Sequence, residues 1–506
     1  GEISARWKYS PYLLFAGIEC LVGVFGFFSL QLFDWVGSQT TSAGVMGGGV
    51  ATFLLVVIPT ALMGATLPIL ANALIAHSHN VGVSVGILYF VNTLGSACAA
   101  VSSIALFVSG FTQHDMVLLS VVLNLLVAFC AMLLGALMSR YEKRKNANDV
   151  AQPSIRNTQT SVEHDGGRML ALCVSLCTGF LALSVEILWF RMLFLYSGSR
   201  AYAFPLGLAF FLLGIALGSL YATRLIRKFV HTDAESMRRK AGILMILSGS
   251  FVSVGFGAIG YVVTGGMGAL LFPMTALLAF PLGILFPLLM HAGVLPGTDA
   301  GKSVSHVYFA NIVGSTIGSL GTGFILLNFM SLRMIVFALA LLCVAIALVL
   351  IRHFRLRGLL GIWTLCALFY VSYLYSAPLY EKLQFGEGYT QEQKFAHVVE
   401  NRSGVISVTH DGMVYGSGVS DGMYHIDLAD DRNYLIRPFI ISAFHSSPKR
   451  MLMIGLSSGS WAQVLANHPS VESLKILEIN PGHLELIPKH AVVASLLTNP
   501  KVQVVL

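Results

Sequence analysis

Small residues fill the stretch Gly455-Leu-Ser-Ser-Gly459-Ser460, between an apolar run at 450–454 and a helix-patterned segment at 461–467. A strand-to-helix turn of this kind lets a ligand approach the backbone and meet N–H groups at the start of the helix. Gly455, Ser457 and Gly459 are its candidate contacts. Glu478, 23 residues beyond Gly455, stands where a ribose-binding carboxylate is expected. The same order of elements also describes a nucleotide-fold shell that binds nothing. Upstream, Asp421, Asp427, Asp430 and Asp431, with Tyr424 and His425 among them, form the densest acidic stretch of the C-terminal part. Carboxylates facing a groove with aromatics nearby suit a polyamine or another cationic substrate; an acidic loop in water is the plainer alternative. His410, His425 and His445 lack metal-ligand spacing, so no metal is assigned.

A second set of chemical groups lies in apolar surroundings. Glu19 and Glu186 are acids well inside long uncharged runs, where a carboxylate is costly and functional by default. Arg191 follows Glu186 by five residues and could merely orient its span, whereas Glu19, with no partner nearby in sequence, suits a proton- or cation-linked role. Asn92 and Asn311 read as interhelical hydrogen-bond glue, and the Gly214/Gly218 and Gly314/Gly318 pairs as close-packing helix faces.

The elements that must hold these groups are of two kinds. Hydrophobic residues make up 56% and charged residues 11% of the 506, and mean hydropathy is +0.76; soluble domains carry about 25% charge. A soluble globular enzyme, a disordered chain and a disulfide scaffold are thereby excluded. Runs long enough to cross about 30 Å of hydrocarbon lie at 11–33, 50–72, 83–111, 115–139, 169–196, 202–225, 241–264, 268–292, 304–329, 334–351 and 359–376. Residues 1–376 hold 21 Lys and Arg against 12 Asp and Glu, while 377–506 hold 10 against 12, so the basic surplus belongs to the apolar part. It sets topology there and is no nucleic-acid footprint. Lys and Arg cluster in alternate loops, at 140–168, 224–240 and 352–357, which places those loops in the cytoplasm.

Pro68, Tyr89, Asn92 and Gly95 recur as Pro287, Tyr308, Asn311 and Gly314, each 219 residues on, within GILYFVNTLGS and SHVYFANIVGS. A parallel repeat of transporter type is expected, its first copy at 1–139 (four spans), a cytoplasmic linker at 140–168 and its second copy at 169–351 (six spans). The mismatch predicts two further helices ahead of residue 1, and Gly1 is not an initiator Met. An additional span at 359–376 precedes a β-hairpin subdomain at 381–446, with turns expected at His410-Asp411-Gly412 and Asp421-Gly422. From 447 to 506, strand, turn, helix, strand, helix and strand open a doubly wound α/β domain of Rossmann-like, methyltransferase type, incomplete at its end.

Residues 385–506 resemble the N-terminal half of the spermidine synthases, the polyamine aminopropyltransferases, through the small hairpin domain, Ser447-Pro-Lys-Arg450, the 455–460 turn and the acidic strand. The spans, with 59–68, Tyr89-Phe-Val-Asn92 and Glu186-Ile-Leu-Trp189-Phe-Arg191, resemble multi-pass bacterial proteins in which such a domain is fused to a transporter-like bundle. The resemblance implies transfer of an aminopropyl-type group from decarboxylated S-adenosylmethionine, or a related nucleoside, to an amine. It places Glu478 on the ribose and His397 at a nucleoside-contacting Gln, and puts the amine-deprotonating aspartate just past Leu506. The family's GGGDGG-like turn has lost its acid here, and its Tyr-His-Glu stretch falls near Asn433-Tyr434-Leu435. Other readings are an accessory subunit with a membrane-protein partner, or a transporter-like bundle with a ligand-sensing domain. The bilayer is the common partner and the bacterial inner membrane the expected location. With 352–357 inside and 359–376 crossing, the tail is expected outside the cytoplasm.

Overall fold

The computed structural model describes residues 10–148, 162–228, 234–294, 300–351, 358, 361 and 378–506. Its first two-thirds are helical: α1 (Pro11–Thr40), α2 (Gly44–Ser78), α3 (Val81–Val108), α4 (Gln113–Asn148), α5 (Val162–Ser197), α6 (Ala203–Lys228), α7 (Ala234–Thr264), α8 (Leu271–Gly293), α9 (Ala300–Leu320) and α10 (Leu332–Leu350). Among the described residues, ten helices are long and apolar enough to cross a membrane, in the order and near the positions read from hydropathy. The eleventh expected span, 359–376, apart from residue 361, and the middle of the 140–168 linker lie outside the described residues. A six-residue π-helical turn, Gly321–Leu326, widens the chain after α9.

Helices approach where side chains are smallest. A Cβ at Gly314 would sit 1.9 Å from Leu176 O, and one at Gly318 2.4 Å from Phe180 O, so α5 and α9 touch backbone to backbone. Gly214 and Gly218 do the same for α6 and α8, facing Ala276 O and Phe280 O. These are the close-packing faces the spacing suggested. Asn311 also acts as glue, its Nδ2 donating to Ser175 O at 3.1 Å, whereas Asn92 is exposed. Trp189, the largest fully buried side chain, donates Nε1–H to Thr275 Oγ1 at 2.8 Å and packs edge-on against Phe256.

After a short helix, α11 (Leu379–Phe385), come β1 (Phe395–Asn401), β2 (Gly404–Thr409), β3 (Met413–Gly416) and β4 (Val419–Met423), an antiparallel sheet in sequential order. Then β5 (Arg450–Ile454), α12 (Ser460–Ala466), β6 (Ser473–Leu477), α13 (Gly482–Leu486) and β7 (Val502–Val505) form a three-stranded parallel sheet. The two sheets share one apolar core in which Ile406, Val408 and Val414 meet Leu456, Leu474 and Ile476.

One expected turn is absent. His410-Asp411-Gly412 does turn, with Gly412 at φ +89°, but Asp421-Gly422 lies inside β4, and the second reversal falls at Ser417-Gly418 (φ +48° and +85°). Val414 pairs with Gly422 and Tyr415 with Ser420, which leaves Asp421 as the extra residue of a bulge. Asp-Gly suits positive φ in a bulge as well as in a turn, and a bulge re-aims the side chain it carries.

The tail docks on one end of the bundle. Arg191 of α5 donates Nη1–H to Asn401 O at 2.8 Å and Nη2–H to Gly404 O at 2.7 Å, gripping the β1–β2 turn. Glu400 accepts from Leu332 N at 2.9 Å, Ser199 Oγ donates to Ser417 O at 3.1 Å, and Lys382 Nζ lies 3.8 Å above the Tyr261 ring.

Candidate functional site

The strand β5 ends at Ile454 because Gly455 turns to φ +86°, its N–H still donating to Leu477 O at 2.8 Å. Ser457 and Gly459 follow at φ +51° and +73°. Gly459 is required twice, by its left-handed backbone and because a Cβ there would lie 2.5 Å from Ile487 Cδ1. The turn is pinned from beneath by Glu478, just past the end of β6. Its Oε2 accepts from Leu456 N at 2.6 Å and its Oε1 from Asn480 N at 2.8 Å, in a buried position. Asn480 Oδ1 in turn accepts from Asn401 Nδ2 at 2.6 Å and Gly482 N at 3.0 Å, tying the turn to the end of β1.

Above the turn lies a cleft of about 530 Å³, walled by the turn residues 454–458 and by Asp421, Asn433, Tyr434, Arg437 and Trp461. The β4 bulge brings Asp421 into this wall, and Ser457 Oγ donates to the Asp421 carbonyl. Asp421 Oδ2 is 3.5 Å from Nε2 of buried His483. Burial raises the Asp421 carboxyl above the ordinary aspartate range, and His483 and Ser457 partly offset this. The opposite rim is aromatic. Asn433 clasps the Met423 backbone through both ends of its amide, at 3.1 and 2.8 Å, and its carbonyl accepts from Trp461 Nε1 at 2.8 Å. The Arg437 guanidinium lies 4.9 Å from the Tyr434 ring and 5.7 Å from that of Trp461.

Among the residues singled out from the sequence, Gly455, Ser457 and Asp421 meet in this cleft, and Glu478 stands behind it with both carboxylate oxygens on backbone N–H groups. Gly459 shapes the turn without lining the cleft. His397 and Tyr424 go elsewhere: Tyr424 is buried and stacks on His490 with centroids 3.5 Å apart, and His397 meets the same ring edge-on at 5.6 Å. Burial lowers the His490 imidazole and raises the Tyr424 phenol. Asp430 is a surface group paired with Arg432 at 2.7 Å, while Asp431 caps the turn at Leu435 and Ile436. Those bonds hold Asp431 below the ordinary range. No group of three potential metal ligands occurs among the described residues.

In the bundle, Glu186 and Glu19 are each partly buried, and no ion pair joins Glu186 to Arg191 among the described residues. The guanidinium turns to the tail instead. Asn433, Trp461, Arg437 and His483 escaped the sequence reading. Asn433-Tyr434 drew notice only for a lost acid, and nothing in the spacing marks His483 as a neighbour of Asp421.

No family model matches the chain. It is similar to a polyamine aminopropyltransferase of Oceanobacillus iheyensis, 21% identical over 308 residues that cover 57% of this chain and 56% of that protein. The chain thus spans little more than half the length of this relative.

Proposed function

We propose that the chain is a multi-pass membrane protein whose C-terminal part is a spermidine synthase-like domain, binding an amine beside a nucleoside in the cleft between β4 and the 455–458 turn. The observation that carries this reading is the placement of Asp421: a bulge directs a carboxylate into a cleft that also holds Trp461, Tyr434 and the small-residue turn. A carboxylate with aromatic faces nearby attracts an ammonium group, and open backbone at the turn admits a nucleoside's flat surface. The likeness to a polyamine aminopropyltransferase agrees with this, as does the alternation of parallel strands and helices from β5 to β7, the opening of a Rossmann-like fold. In a transfer of that kind the amine nitrogen forms a bond to the donor's propyl carbon as the carbon–sulfur bond breaks, and a base removes the amine proton. Asp421 would hold and orient the amine. Because both Glu478 oxygens already serve the turn, ribose recognition there rests on their remaining lone pairs, which favours an accessory, binding-only role as the second reading.

Calorimetry on the full chain in detergent tests this. Putrescine and methylthioadenosine are expected to bind, and Asp421→Asn to weaken putrescine at least about tenfold, the worth of one charge-assisted bond, with the nucleoside little changed. Protonation removes the attraction, and the Asp421 pKa lies above the ordinary value of 3.8. Amine binding should therefore fall on acidification at a higher pH than an exposed aspartate would give. A wild-type protein that binds neither ligand sinks the reading.

The apolar helices support a parallel repeat and an outside tail. α1 packs on α2 and α4 as α7 packs on α8 and α10, and the repeat-related Tyr89 and Tyr308 flank Phe286 at 5.1 and 5.9 Å. The tail meets the ends of α5, α7 and α10 that carry few cations, opposite the Arg224–Lys228 and Arg238–Lys240 ends. A Cβ at Gly242 would touch Ile351, while one at Gly260, 18 residues along the same helix, would touch Lys382. The flanks of 359–376 thus stand about 27 Å apart along α7, close to a hydrocarbon thickness. Cysteines placed at Ser420 and Ser470 are expected to react with an impermeant maleimide on intact cells. Labelling only after lysis would put the tail inside.

A further inference from the structure

A second cleft, of about 370 Å³, opens where α5, the π-helical turn and the β1–β2 hairpin meet. Its inner wall is apolar, built from Ile187 and Phe194 of α5 and from Leu327 just past the π-helical turn. Gly323 of the turn also lines it, and the next two residues, Phe324 and Ile325, are 61% and 58% exposed. Adjacent exposed apolar side chains of this size suit a surface that faces hydrocarbon. Its rim is cationic: Arg402, exposed at the tip of the hairpin, makes no hydrogen bond or ion pair among the described residues. Arg191 lines the same cleft with its two Nη groups committed to Asn401 and Gly404 and its buried Nε–H without an acceptor. An unsatisfied buried donor on a charged group is costly and marks a place for an outside acceptor. π-Helical turns are also frequent at functional sites.

We propose that this cleft holds one anionic phospholipid, its acyl chain against Ile187, Phe194 and Leu327 and its phosphate at Arg402, within reach of the Arg191 Nε–H. The ligand class follows from the pairing of an apolar wall, continuous with the outer surface of the bundle, with two guanidinium groups at one end. A soluble anion would use the rim and leave the wall wet. The site lies at the tail-bearing end of α5, at the level where headgroups meet a spanning helix, so the lipid would seal the seam between bundle and tail. The inference rests on the membrane reading of the helices, which retention of the chain in carbonate-washed membranes tests separately.

Native mass spectrometry of the full chain in detergent, titrated with phosphatidylglycerol, phosphatidylcholine or inorganic phosphate, tests the site. Wild type is expected to retain one phosphatidylglycerol about tenfold more tightly than phosphatidylcholine. Arg402→Gln, on an exposed side chain, should abolish that preference while leaving the fold intact. Ile187→Trp, which fills the apolar wall, should lower retention of both lipids. Equal lipid binding by wild type and Arg402→Gln overturns the proposal. So does displacement of phosphatidylglycerol by inorganic phosphate, which would make the rim a site for a free anion.

Discussion

Replacing Glu478 with alanine is expected to cost the tail about 3–5 kcal/mol, because two buried backbone N–H groups lose a charged acceptor at once. The 455–458 turn is held open by this carboxylate, so its loss should also abolish ligand binding in the cleft. Glu478→Gln keeps the shape but presents an amide N–H toward one of the two donors, and an intermediate loss is expected. Thermal unfolding followed by the fluorescence of Trp461, whose indole is bonded to Asn433 in the cleft wall, measures both variants once the other four tryptophans are replaced by phenylalanine. An alanine variant as stable as wild type, with only nucleoside binding lost, would return Glu478 to the ribose-binding role its position suggests.

Gly314→Leu is expected to abolish assembly of the bundle, whereas Gly95→Leu, at the matching position 219 residues earlier in the sequence, should be tolerated. Even the Cβ of an alanine at Gly314 would approach Leu176 O to 1.9 Å, a backbone atom that cannot rotate away, while nothing lies within 4 Å of the corresponding point at Gly95. The first change should exceed about 3 kcal/mol, in the range of severe overpacking, and the second should lie within about 0.5 kcal/mol. Monodispersity on size-exclusion chromatography in detergent separates the two. A monodisperse Gly314→Leu protein would mean that α5 and α9 can part at little cost.

What the sequence made legible follows from what periodicity encodes. The ten apolar helices among the described residues stand out in the sequence because a run of twenty uncharged residues has few alternatives, and the alternation of β5, α12 and β6 shows in turn chemistry and strand length. Which side a residue faces is a different matter. Asp421-Gly422 carries a signal for positive φ that a hairpin turn and a bulge satisfy equally, so its place inside β4 became visible only through the pairing of Val414 with Gly422. Glu478 was found by its distance from the turn, but spacing along a chain cannot say whether a carboxylate meets a ligand or the backbone beside it. Tyr424 and His397 lie in the right stretches but turn away from the cleft, Tyr424 into the core, and both meet His490, 93 residues beyond His397, which no local pattern announces. The role of Arg191 was hidden for the same reason: its acceptors lie 210 and 213 residues downstream.

That separation also sets an order of events on the ribosome. At about 5–20 residues per second, Arg191 is made roughly ten to forty seconds before Asn401 and Gly404, an interval fixed by the 210-residue gap. Throughout it the guanidinium of Arg191 has no carbonyls to grip and must stretch along its own aliphatic stem toward water or headgroups. The hairpin tip therefore arrives as a latch on helices that have already been made. A contact of such sequence separation forms after the local ones around it, so the tail is expected to dock on helices that have already packed.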